Sequence, residues 1–317
     1  MIGLILATAL WTAPVQVQDP DVASTPPMRQ EEPVTLEDVT VTGRSLDRLI
    51  RDFVAEVAEP NRHRGLARWS DRVCVGVANL EMETAQYLAD RISTVAADVG
   101  LNAGAPGCTP NILVVATDDA GQLAQTLVGE RGRAFRMGGA GMDRGGDPLE
   151  DFIETDRPVR WWQMSMPVNT RTGERAIRLP GDCFGDCTGP GSTMHYAPQT
   201  AVFAASRLRT EVVDELIRTV VIVDVDQVSH LSVLQLADYI VMVSLAQIDP
   251  KADTSAYASI LNVFDNPDVA GSLMNWDRAY LEGLYSAERN AANHRANRSE
   301  IVASIRDAHG RLRNPLP

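Results

Sequence analysis

Asp226, Ser229 and His230 bring the three residue types of a nucleophilic triad into one short stretch. A triad needs carboxylate, imidazole and hydroxyl in one line of hydrogen bonds, and side chains this close in the chain point in different directions. His230 is therefore a candidate base without an assembled triad. His195, beside Tyr196, is a second candidate if its loop faces a cleft; the alternative is a solvated loop histidine. Asp238 stands alone in an apolar run, and a carboxylate so placed is a candidate general base. The competing reading pairs it with Tyr239, a backbone group or an arginine, so that it only holds the core in register. Cys183 and Cys187 would be nucleophiles as free thiols, a role that an oxidising compartment removes.

The remaining motifs point to no metal and no cofactor. The histidines are His63, His195, His230, His294 and His309, with no HExxH and no other close pair. A four-thiolate zinc site needs close pairs such as C-x-x-C, and Cys74 and Cys108 stand alone. The glycine-rich stretch 131–148 follows a helix and lacks the lysine of a phosphate-binding loop, so it reads as a surface loop. Trp161 and Trp162 are neighbours on a strand and must face opposite ways. One ring then points to the core and one outward, where with Arg160 it would suit a peptide or sugar unless a neighbouring element covers it.

The elements that position these residues centre on Leu231–Pro250, LSVLQLADYIVMVSLAQIDP. Ser232 and Gln235 form a capping box, Leu231 and Leu236 a hydrophobic staple, and Pro250 ends the run. Almost every position between is apolar, which marks a buried helix of about 16 residues and about 24 Å, short for a membrane span. A strand over 212–226 feeds it, and 199–208 reads as a further strand. Upstream, helices are predicted over 45–58, 83–99, 118–128 and 148–155, and strands over 72–80, 111–117 and 159–168, the last in a hairpin with 176–179. Strand 72–80, helix 83–99 and strand 111–117 make a βαβ unit with parallel strands. Their entry ends lie together, which brings Cys74 within disulfide reach of Cys108. Of the three possible pairings this one is favoured, with Cys183–Cys187 closing a tight ring.

The chain has 317 residues, 44% of them hydrophobic, and a net charge of −13, which argues against nucleic acid or an anionic membrane surface as partner. Residues 1–18, opening MIGLILATALWTA, resemble a secretory signal peptide, although a basic start and a clean cleavage site are missing. Residues 19–43 are a Pro- and Glu-rich linker with a short strand near its end. Residues 44–287 form one domain, and the polar stretch 288–317 a surface helix. An even cysteine count agrees with an exported, periplasmic or secreted protein.

The order of strand, buried helix, SILNVF turn and NWDRAYLEGLY helix, roughly Ile217 to Tyr285, resembles the C-terminal half of matrixin-like metzincin peptidases. Ser259, Leu261 and Asn262 fall in the turn, with Leu261 where that family keeps methionine; Leu273, Asp277, Leu281, Leu284 and Tyr285 fall in the closing helix. The whole chain looks more like a family of exported proteobacterial proteins carrying a degenerate form of this layout. In that resemblance Ala237 and Val241 take the places of two zinc-binding histidines and Asp238 that of the catalytic glutamate. Alanine and valine cannot ligate zinc, and zinc catalysis needs three protein ligands. The resemblance thus implies an α+β fold with a mixed sheet: a βαβ-containing half over 44–155 and a zincin-like half over 156–287 without its zinc. It implies binding to a protein or peptide of the cell envelope; the alternative is a metal-independent hydrolase using Asp238, His195 or His230.

Overall fold

The apolar alternation of four strands explains the fold of this computed structural model, which describes residues 45–61, 64–136, 144–176, 209–268, 270–291 and 293–313. In chain order the elements are α1 (Leu46–Val57), β1 (Arg72–Val73), β2 (Val75–Ala78), α2 (Met82–Asp98), β3 (Asn102–Ala103), β4 (Ile112–Thr117), α3 (Ala120–Phe135) and α4 (Gly146–Glu154). There follow β5 (Val159–Asn169), β6 (Val212–Asp224), α5 (Val225–Val228), α6 (Val233–Leu245), a 3₁₀ turn (Ile260–Asn262), α7 (Asn275–Ser286) and α8 (His294–Arg313). The main sheet runs β2-β4-β6-β5. β2, β4 and β6 are parallel, while β5 is antiparallel to β6, with a register shift at Met164/Ser165. The fold is α+β with a mixed sheet, and strands from both halves of the sequence share it.

Two cores flank the sheet. On β6, Val221 and Val223 enter the larger core while Val220 and Ile222 enter the smaller one. On β5, Trp161 joins the larger and Trp162 the smaller. The period of two is that of a strand, and both faces are covered. The two rings do part to opposite faces, but neighbouring elements cover both, the alternative weighed for the outward ring, which removes Trp161 and Trp162 as an accessible surface for a peptide or sugar. The second face is closed by α3 and α4 through Phe135, Leu149 and Phe152. Both indole N–H groups are satisfied: Trp161 Nε1 donates to the Ile248 carbonyl (3.2 Å) and Trp162 Nε1 to that of Phe135 (2.8 Å).

The βαβ prediction holds. β2 and β4 are adjacent, in register from Val75↔Ile112 to Ala78↔Val115, with α2 between them in the chain. Cys74 and Cys108 form a disulfide with Cα atoms 6.1 Å apart. Cys183 and Cys187 lie outside the described residues, as do the leader, the linker and its strand, the 199–208 strand and most of the 176–179 hairpin. Of that hairpin, Arg175 bridges Val168 and the Ala176 amide donates to the Pro167 carbonyl. The 131–148 stretch is not all loop: α3 continues to Phe135 across a kink at Arg131, and α4 starts at Gly146.

α6 starts as its sequence dictates, with the Ser232–Gln235 capping box formed. It ends at Leu245, earlier than the proline predicts, with Ala246 extended at φ −132°, ψ 151°. Helices leave their last carbonyls without intrahelical donors. Here side chains supply them. Trp69 Nε1 donates to the Ser244 carbonyl (2.9 Å) and the Tyr285 hydroxyl to that of Leu245 (2.7 Å). Gln163 Nε2 donates to those of Val243 (2.6 Å) and Ala246 (2.5 Å).

α8 is largely exposed, as its low hydropathy suggests, and seats itself through Ile301, Ile305 and Ala308, which are buried at the i, i+4, i+7 spacing of one narrow stripe. It belongs to the same compact unit as the rest of the described chain. Its seat on α7 depends on Gly283: a Cβ there would lie 2.5 Å from the backbone nitrogen and Cα of Ile305. Gly283→Ala is accordingly expected to destabilise the fold by about 3 kcal/mol through overpacking, read as a lower urea midpoint with an unchanged slope. Among the described residues no helix is long and apolar enough to cross a membrane.

Candidate functional site

Asp238 sits mid-way along α6 on the side that meets α2, and its side chain has no solvent exposure. α2 brings Arg91 against it. Arg91 Nε donates to Asp238 Oδ1 at 2.6 Å and Nη2 to Oδ2 at 3.1 Å, a bidentate pair. The backbone amide of Leu273, just ahead of α7, donates to Oδ2 at 2.7 Å. The bond to Asp238 holds the Arg91 guanidinium above its ordinary pKa. A general base needs a free lone pair within reach of a substrate proton. This carboxylate is closed to solvent and already accepts three hydrogen bonds, so the geometry favours the structural reading of Asp238 over the catalytic one.

A second buried carboxylate lies nearby on α7. Asp277 Oδ1 accepts from the Ser259 hydroxyl at 2.5 Å, and Oδ2 accepts from the amides of Ile260 and Met274, both at 2.8 Å. One side chain thus ties the turn before the 3₁₀ segment to the start of α7. Burial pushes its carboxyl up to about 6, against the opposing pull of these three donors, and the nearby Asp238 adds to the rise. The turn itself is stapled by Asn262, whose Nδ2 donates to the carbonyls of Thr254 (3.0 Å) and Tyr257 (2.8 Å). Tyr285 closes α7 against α6 through the bond to Leu245, and burial raises its hydroxyl pKa.

His230 is exposed on the turn between α5 and α6. The Ser229 hydroxyl is spent on the Asp226 carbonyl at 3.1 Å, and the exposed Asp226 side chain bonds neither Ser229 nor His230. No triad is assembled there. His195 lies outside the described residues. His309 is buried beside Trp276, ring centroids 5.1 Å apart, and burial lowers its pKa. Among the described residues no three of His, Cys, Asp and Glu are grouped so as to hold a metal ion.

Ala237 and Val241, at the positions the metzincin resemblance assigns to zinc ligands, are fully buried members of the larger core. Sequence reasoning missed Arg91. Its signal is its spacing, three residues after Leu88 and four before Val95, at the edge of the buried stripe of α2. No family model matches the chain, and no curated protein or solved structure matches it.

Proposed function

We propose that the protein is a non-catalytic binding or structural protein of the cell envelope, on a scaffold that resembles a metallopeptidase without its zinc. The observation that carries this reading is the state of Asp238. Where a peptidase needs an open carboxylate, this one is enclosed and held by Arg91 and the Leu273 amide. Further support comes from the order of elements, in which β6 leads through α5 into α6 and on to the turn and α7. The Asp277 clamp ties together the turn and the closing helix, the two elements that the resemblance names. Export to the periplasm or beyond is part of the proposal, and the Cys74–Cys108 bridge supports it, since such bonds persist in oxidising compartments.

The test is direct. Purified full-length protein should hold no stoichiometric zinc, leave a broad peptide mixture uncut and keep its melting temperature when a chelator is added. One equivalent of zinc together with chelator-sensitive cleavage would overturn the proposal.

A further inference from the structure

The N-terminal turn of α8 breaks a rule of helix electrostatics. Negative side chains are favoured there and positive ones are not, because the free amides already carry partial positive charge. This turn has no acidic residue and carries Arg295, with Arg298 one residue beyond. Both are exposed, and neither forms an ion pair among the described residues. Asn293 caps the helix by accepting from the Ala296 amide at 2.7 Å. Both arginines line a groove of about 280 Å³ together with Arg64, Pro60, Leu66 and Ile301. Arg64 is held in place by an ion pair with Asp214. Two exposed arginines and the paired Arg64 thus border a groove that also has Pro60, Leu66 and Ile301 in its lining, in a protein whose net charge is −13. Local rules fail most often where a site demands it.

We propose that this groove binds a small carboxylate carrying a short apolar chain, its carboxylate held between Arg295 and Arg298 and its chain laid on Pro60, Leu66 and Ile301. A guanidinium presents paired N–H donors that match a carboxylate. The volume is at the lower limit of small-molecule pockets, which span about 300–1,000 Å³, so the chain must be short. Two sources share this chemistry, a free aliphatic acid and the C-terminus of a peptide ending in an apolar residue. The inference does not depend on the absence of zinc chemistry at α6, and either can fail without the other.

The experiment titrates the full chain by calorimetry with hexanoate, with acetyl-Ala-Ala-Leu, and with hexanol as the uncharged counterpart. The expected result is saturable binding of hexanoate or the peptide, none of hexanol, and affinity about tenfold or more weaker for Arg295→Gln/Arg298→Gln. Both residues are exposed, so the unliganded variant should melt no lower than the parent. Tighter binding of the peptide than of hexanoate assigns the groove to a chain terminus, and the reverse to a free acid. No heat from either carboxylate up to about 10 mM, or binding that the double variant leaves unchanged, overturns the proposal.

Discussion

Asp277→Ala is expected to cost about 4 kcal/mol of folding stability when measured at about pH 4, a large share of what a domain of this kind possesses. The substitution leaves the Ser259 hydroxyl and the amides of Ile260 and Met274 facing a space with no acceptor. Each buried donor left alone costs about 1–3 kcal/mol, less whatever relaxation recovers. The pH dependence follows from the raised carboxyl. Its folded pKa of about 6 lies above the value of about 4 for an unfolded aspartate. The folded state therefore holds the proton more tightly, and the stability this group contributes is complete below about pH 4 and lost as pH rises through about 6. A shift of about two units corresponds to about 3 kcal/mol over that window. The alanine penalty should narrow by that amount between about pH 4 and pH 7.5. Asp277→Asn should remain folded and flatten the slope, because its amide oxygen can accept the two backbone bonds while its NH₂ turns to Ser259. A penalty that grew with pH in urea titrations would mean that the three donors stabilise the anion more than burial opposes it.

Arg91→Met should lower stability by about 3 kcal/mol, the lower end for breaking a buried ion pair, because Arg91 itself is partly exposed. The loss comes from the partner left behind: a carboxylate with no access to water and only the Leu273 amide for company. Adding Asp238→Asn should restore most of it, since a neutral amide oxygen can still accept from Leu273 and no isolated charge remains. If Arg91→Met were neutral and the pair of substitutions no better, Asp238 would not depend on Arg91 for its burial. Chemical denaturation of the single and double variants closes this cycle.

What the sequence reveals of this molecule follows the range of the forces involved. The start of α6 is legible because Ser232 and Gln235 satisfy one another within a single turn. The Cys74–Cys108 bridge is legible because parallel strands joined by a helix bring their entry ends together. The end of α6 is not, because the groups that satisfy its last carbonyls come from elsewhere in the chain. Arg91 stands 147 positions from Asp238, and nothing local couples them. For Trp161 and Trp162, alternation revealed that the rings part ways; that helices cover both sides of the sheet is a tertiary fact. α8 is legible as a surface helix, but its seat is not. Its average polarity conceals a stripe one residue wide, and the glycine that receives it sits on another helix.

The C-terminal end of α6 has a consequence for how the chain assembles. Its carbonyls are bonded by side chains 175, 80 to 83, and 40 residues away: one from the segment ahead of β1, one from β5 and one from α7. No single neighbour can complete that end, and each contact closes a long loop before it returns any enthalpy. The last turn of α6 should therefore be among the late regions to lock during folding and, once locked, among those that open only when much of the molecule opens with it. Its amides would then exchange with solvent at the rate set by global unfolding, so that a segment of a few residues reports on the cooperativity of the whole.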